Sequence, residues 1–299
     1  MTAMPIPGPV PEWLLSAVAA LTLFAVMFDL GLIIVPGEFR WVAERPSLMA
    51  KALFAVVVAV PAIAWAVARV MDLPRAAEIG IMLMAIAPGA PVALRNALVA
   101  GGHRAFAPAL QISLAIVAIA SMPLFVAAFD EYYAGEASVD PRHLARQVFF
   151  AQLLPLALGV ATMRLWPAAA GRVEPALRKA ATLLLVLLAV LALAGVWEIV
   201  IGAGWRVIAA IVLTSALAIA VGHALGGPAP ATRTATAVSS AARNTGLALL
   251  VASLNNASPA IIAAVVAYFV ASALTLVPYV FWRRRRQAQP AMVQPGEAK

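Results

Sequence analysis

Arg95 and Arg243 each stand inside a long apolar stretch, and each is followed by an asparagine. The first reads Pro88-Gly89-Ala90-Pro91-Val92-Ala93-Leu94-Arg95-Asn96, the second Ser239-Ser240-Ala241-Ala242-Arg243-Asn244-Thr245-Gly246. An arginine held in hydrocarbon costs roughly 2.5–3.5 kcal/mol on insertion scales, so it usually has a partner or a function. A guanidinium donates through a rigid fork that matches carboxylate or sulfate, and it accepts nothing. The chemistry expected is therefore recognition of an anion. The candidate substrate-binding residues are Arg95, Asn96, Arg243, Asn244 and Thr245, with Gln111 and Asp29 from neighbouring apolar stretches. The competing reading is structural: the pairs tie helices together, or one arginine snorkels to an interface.

The elements that carry these residues follow from composition. The chain has 299 residues, 64% of them hydrophobic and 11% charged. A soluble domain runs near 45–50% apolar and about 25% charged, so a soluble fold, a disordered tail and a collagen-like rod are excluded. The expectation is an all-α polytopic membrane protein. Nine spans are predicted, at 13–35, 52–70, 77–100, 105–129, 147–166, 180–201, 205–225, 234–254 and 259–281. Cysteine is absent, so disulfides and thiolate metal sites are excluded.

The net charge of +8 reads as orientation rather than nucleic-acid binding. The run Arg283–Arg286 follows the ninth span and places the C-terminus in the cytoplasm. An odd count then puts the N-terminus outside, where residues 1–12 hold no Lys or Arg. Fourteen of the 21 basic residues fall on the cytoplasmic side and five on the other. The remaining two are Arg95 and Arg243. The outer segment 130–146 is acidic, and 282–299 is a basic cytoplasmic tail. The expected location is a plasma (inner) membrane.

The two arginine-bearing spans run in opposite directions in this topology. Pro88, Gly89 and Pro91 must interrupt the first. Ser239, Ser240, Asn244, Thr245 and Gly246 point to a similar break in the second. Breaks at matching positions of inverted halves mark a transporter site near the midplane. The halves are 13–129 and 147–281, four spans and five.

Other residues carry weaker signals. Asp29 is either a solvated end residue, a counter-ion to an arginine, or a proton carrier. Glu198 reads as an interface residue, and Gln111 and Ser113 as cavity residues. Trp13, Trp41, Trp166, Trp205 and Trp282 read as belt residues. His103, His143 and His223 show no metal-ligand spacing. No acid–base pair, nucleophile motif or phosphate loop points to an enzyme. No cofactor, nucleic acid or obligate protein partner is expected beyond the bilayer and a small organic anion.

At these residues the chain resembles the bile acid:sodium symporter family. Met27-Phe28-Asp29-Leu30-Gly31-Leu32 is similar to that family's Met-Phe-Gly-Met-Gly-Leu. Pro88-Gly89 stands at its Pro-Gly-Gly-Thr-Ala-Ser-Asn, and Ala100-Gly101-Gly102 near its Ala-Arg/Lys-Gly. Arg243-Asn244-Thr245-Gly246-Leu247-Ala248 is similar to Gln-Asn-Ser-Gly-Leu-Ala. The resemblance covers nearly the whole chain. It implies two broken helices crossing in a core domain, beside a panel of the first, fifth and sixth spans. It implies the nine-helix form of a fold that has ten helices elsewhere, and alternating access between core and panel.

The departures define the expected mechanism. The family binds two sodium ions with oxygen ligands. Its Ser-Asn falls here on Ala93 and Leu94, its threonine on Gln111 and its glutamate near Ser239. Its two glutamines fall on Arg243 and about Val56. Arginine keeps its charge and repels a cation. The expectation is a secondary transporter of a small organic anion in which two guanidinium groups replace sodium. Arg243 would hold the second ion position and Arg95 would lie near the first. The alternatives are a sodium-coupled symporter with relocated sites, or a membrane sensor or channel.

Overall fold

In the computed structural model, residues 11–33, 41–132, 140–202 and 204–288 are described. The segment 34–40, much of the acidic segment 130–146 and the end of the basic tail lie outside them. Among the described residues every regular element is helical. Seven helices are long and apolar enough to cross a membrane, as an all-α polytopic membrane protein requires.

The first is α1, Glu12–Leu32. The second is built from α2, Pro46–Phe54, a π-helical turn at Ala55–Ala59, and α3, Val60–Val70. Next come α4, Arg75–Ala85, and α5, Pro91–Val99, the two halves of one split helix. The long α6, Phe106–Tyr132, follows. The fifth pass joins α7, Pro141–Val148, a π-helical turn at Phe149–Leu153, and α8, Leu154–Leu165. Then come α9, Pro167–Gly202, and α10, Trp205–Leu225. The second split helix is α11, Pro230–Ala241, and α12, Thr245–Leu254. The chain continues as α13, Pro259–Ala288.

Several boundaries differ from expectation for local reasons. The fifth pass starts six residues earlier, because Asp140 accepts a hydrogen bond from the Arg142 amide and Pro141 opens the helix. α9 starts at Pro167 rather than 180, and its polar first turns are supported by an ion pair between Glu174 and Arg178 one turn apart. α13 carries the arginine run as helix. Arg283 is buried there, donating to the Thr234 hydroxyl at 2.7 Å and the Pro230 carbonyl at 2.9 Å. That arginine therefore also fastens α13 to α11. Pro61 and Pro155 each follow a π-helical turn. The wider turn takes up the missing N–H.

Small residues set the closest packing. α1 lies against α8 and α9. A Cβ on Gly31 would sit 2.8 Å from the Gly159 Cα, so the two glycines let α1 and α8 touch backbone to backbone. On the other side α4 packs on α13, and α11 on α10. Gly80 meets α13 and Gly222 meets α11 in the same manner.

Candidate functional site

The two helix breaks meet. Pro88 and Gly89 interrupt the first over residues 86–90, where Gly89 takes a φ of +78°, and Pro91 opens the second half. The second break is narrower, residues 242–244. Ser239 and Ser240 lie in the last turn of α11, and Gly246 lies in the first turn of α12. The three therefore flank the interruption rather than form it. The Asn244 amide donates to the Ala87 carbonyl at 2.9 Å, joining one break to the other.

Arg243 is buried, 4% exposed, and its guanidinium is committed to backbone. Nε donates to the Met84 carbonyl at 3.2 Å and Nη1 to the Val56 carbonyl at 3.2 Å, while Nη2 donates to the Ala85 carbonyl. The Ala85 and Val56 acceptors lack ordinary partners for identifiable reasons, while the Met84 carbonyl also accepts from the Ala87 amide at 3.1 Å. Met84 and Ala85 end α4, where carbonyls run out of helical donors and the helix dipole is negative. Val56 lies in the π-helical turn, in which the Val60 amide bonds to Ala55. In that register the amide facing the Val56 carbonyl would be that of Pro61, which has none.

Asn244 completes the crossing. Its Oδ1 accepts from the Leu247 amide at 3.1 Å and caps α12. Its Nδ2 donates to the Gly89 carbonyl and to Gln152 Oε1, both at 3.3 Å. Gln111 and Ser239 are also buried, and Gln111 Nε2 donates to Ser239 Oγ at 2.9 Å.

Two neighbouring cavities open beside the crossing. The inner one, about 80 Å³, is bounded by α1, α5, α9, α12 and α13. Pro91, Asn96, Arg243, Asn244, Thr245 and Gly246 are on its wall. It faces the first turns of α5 and α12, where helix dipoles are positive. Thr245 is 8% exposed, and its Oγ1 has no partner among the described residues. The wider cavity, about 360 Å³, lies between α1, α5 and α9 and shares Val26, Pro91, Val92 and Leu185 with the inner one. Its charged residues are Asp29, Arg95, Glu174 and Arg178.

The structure thus gathers Asn96, Arg243, Asn244 and Thr245 at the inner cavity, and Asp29 and Arg95 at the wider one. Gln111 borders neither; it is buried against Ser239. Arg95 is exposed in mid-α5 and is not at the crossing. No ion pair joins Asp29 to Arg95 or Arg243 among the described residues; the cation whose charge reaches it is Arg178. Ser240 points at α10, where a Cβ on Gly222 would lie 2.5 Å from its Oγ. Gln152 was missed by sequence reasoning. A lone amide three residues before a proline in an apolar span was its available signal. Glu174 and Arg178 read as loop charges, and nothing in the sequence distinguished them from their neighbours.

Two split helices crossing at a small polar centre of an all-helical membrane protein are an arrangement found in secondary-transporter folds. Residues 20–203 match the Sodium Bile acid symporter family, and the chain belongs to that family, whose members are transporters. The matched segment ends before the second split helix. Among curated proteins none matches the chain.

Proposed function

We propose that this protein is a secondary transporter that moves a small organic anion by alternating access and needs no sodium. The observation that carries this reading is the hydrogen bonding of Arg243. Three outward-facing carbonyls around one point are what a hard cation would use as ligands. A guanidinium tethered by the chain fills that place instead. The Gln111 amide group does the same toward Ser239, a second position aligned with an ion ligand. The Arg243 position is thus occupied by a donor that cannot leave, and Gln111 donates at the other while its Oε1 has no partner among the described residues.

The substrate's anionic end is assigned to the inner cavity. The N-termini of α5 and α12 converge on it, and each helix is long enough to present a dipole. Thr245 Oγ1 supplies the free donor, with Asn96 beside it. Arg243 acts from behind, by holding the break open. In this reading 13–129 and 147–281 are inverted halves, α1 with α7, α8 and α9 forms the panel, and the rest forms the core. The N-terminus lies outside and the C-terminus in the cytoplasm of an inner membrane.

Purified protein tests the claim directly. Thermal unfolding in sodium chloride and in choline chloride is expected to give the same midpoint for the wild type. Arg243→Gln frees the three carbonyls, so sodium is expected to raise that variant's midpoint. Counterflow in proteoliposomes is expected to run equally well with either salt. Strict sodium dependence of counterflow by the wild type would overturn the reading.

A further inference from the structure

The four charges of the wider cavity are not equivalent. Glu174 and Arg178 pair with each other on one face of α9. Arg95 is exposed on the opposite wall, with no hydrogen bond or ion pair among the described residues. Asp29 is different again. Its Oδ1 is sealed from solvent and has no hydrogen-bond partner among the described residues. A carboxylate oxygen left this way is costly, and the lowest-cost remedy is an N–H donor carrying positive charge. Arg178 donates through Nη2 to Glu174, and no hydrogen bond from it reaches Asp29 among the described residues.

We infer that Asp29 receives the cationic end of the substrate, which makes that substrate an ω-amino acid rather than a simple carboxylate. The inference rests on the proposed transport function, keeps the carboxylate end in the inner cavity and makes the substrate as a whole a zwitterion rather than a net anion. The charges lining the wider cavity, two acids and two bases, cancel, which suits a zwitterion and gives no surplus for a lone anion. An ammonium brings three donors, enough to pair with the Asp29 carboxylate, which lines the cavity, and still reach a second acceptor.

The spacing narrows the class further. Thr22 and Val26 line the inner cavity from α1, and Asp29 lies seven and three residues beyond them. At 1.5 Å per helical residue the two poles are separated by roughly 5–10 Å along the cleft. In an α-amino acid both charges hang from one carbon and cannot span that distance. A chain of several methylenes between carboxylate and ammonium can. It would also lie against Val26, Pro91, Val92 and Leu185, the apolar residues common to both cavities.

The test uses thermal shift and counterflow with 3-aminopropionate, 4-aminobutyrate, 5-aminopentanoate and 6-aminohexanoate, each beside the acid lacking the amine, and with alanine. At least one ω-amino acid is expected to bind tenfold or more tightly than its amine-free partner and than alanine. Asp29→Asn is expected to remove that preference, so that amino and plain acids of equal length bind alike. Asp29→Glu extends the carboxylate by one methylene and is expected to move the optimum to a shorter amino acid, a shift that a purely structural Asp29 would not produce. Equal binding of amino and plain acids, or a preference that survives Asp29→Asn, overturns this inference and leaves the transport reading standing. If neither series binds, the inference falls. If in addition counterflow fails or is strictly sodium-dependent, the transport reading falls with it.

Discussion

The first split helix is interrupted over five residues that include Pro88 and Gly89, and Pro91 opens its second half. The second is interrupted over only three, Ala242, Arg243 and Asn244, with neither proline nor glycine among them. One break is imposed by the backbone. Missing amides and a left-handed glycine forbid a continuous helix there whatever surrounds it. The other is held open by side chains. Asn244 caps the outgoing half and Arg243 anchors the gap to α4 and to the π-helical turn. The same Arg-Asn dipeptide therefore does two jobs. In the second helix it makes the break; in the first it lies within α5, past the break, and leaves Arg95 free at the cleft.

The sharpest way to break this comparison is to remove each arginine. Arg243→Leu leaves the buried Val56 and Ala85 carbonyls without their donor, at about 1–3 kcal/mol for each orphaned group, while Met84 keeps the Ala87 amide. The total loss of stability is expected to be about 3–5 kcal/mol. Arg95→Leu removes an exposed side chain with no partner among the described residues, and its cost is expected to stay under about 0.5 kcal/mol. Unfolding of the detergent-solubilised variants measures both. Equal losses would show that the two breaks depend on their arginines alike.

Backbone substitutions invert the expectation. Gly89→Ala forces an L-residue into φ +78°, while its Cβ meets nothing closer than 3.4 Å from the Ala115 nitrogen. The cost is conformational rather than steric, about 1–2 kcal/mol. Ala242→Gly, at a φ of −79°, needs no such freedom and is expected to cost less than about 1 kcal/mol. If Ala242→Gly proved the more damaging of the two, the claim that the first break is the backbone-imposed one would fail.

The sequence carried much of this arrangement and misread one part of it. Length and apolarity were enough for the helical passes, proline and glycine placement for the first interruption, and the polar run from Ser239 to Gly246 for the second. Local hydrogen bonding and helix pairs such as Glu174–Arg178 then moved the ends by up to thirteen residues. The pairing of Arg95 with Arg243 rested on a shared dipeptide. A dipeptide fixes residue type and not its phase relative to a break, and that phase decides whether a guanidinium meets helix-end carbonyls or a cleft. The carbonyl set was also out of reach. Val56 is apolar as a residue, and its acceptor is exposed only because Pro61 withholds an amide from a π-helical turn.

A pH-dependent effect is expected where the two split helices are fastened together. His103 follows α5, and its backbone amide donates to the Ala231 carbonyl at the start of α11, 3.1 Å away. Its Nδ1 accepts from the Ala105 and Phe106 amides at 3.3 and 3.2 Å, which caps α6. The ring stacks on Trp41 at 4.1 Å between centroids, and the Arg45 guanidinium lies 4.2 Å from the same indole. An imidazolium has no acceptor to offer at Nδ1, so the cap requires the neutral ring. Burial first, and the Arg45 charge second, hold its pKa below the ordinary 6.5. Between that folded value and 6.5 the unfolded chain binds a proton that the native chain does not. The cap's contribution is therefore complete above 6.5 and declines as pH falls toward the folded value. The size is that of a helix cap, about 1 kcal/mol. His103→Asn keeps an accepting cap that does not titrate. Between pH 7.5 and 5 the wild-type unfolding midpoint is expected to fall more steeply than that of the variant. Parallel slopes would mean that the link between the two split helices does not depend on the protonation of His103.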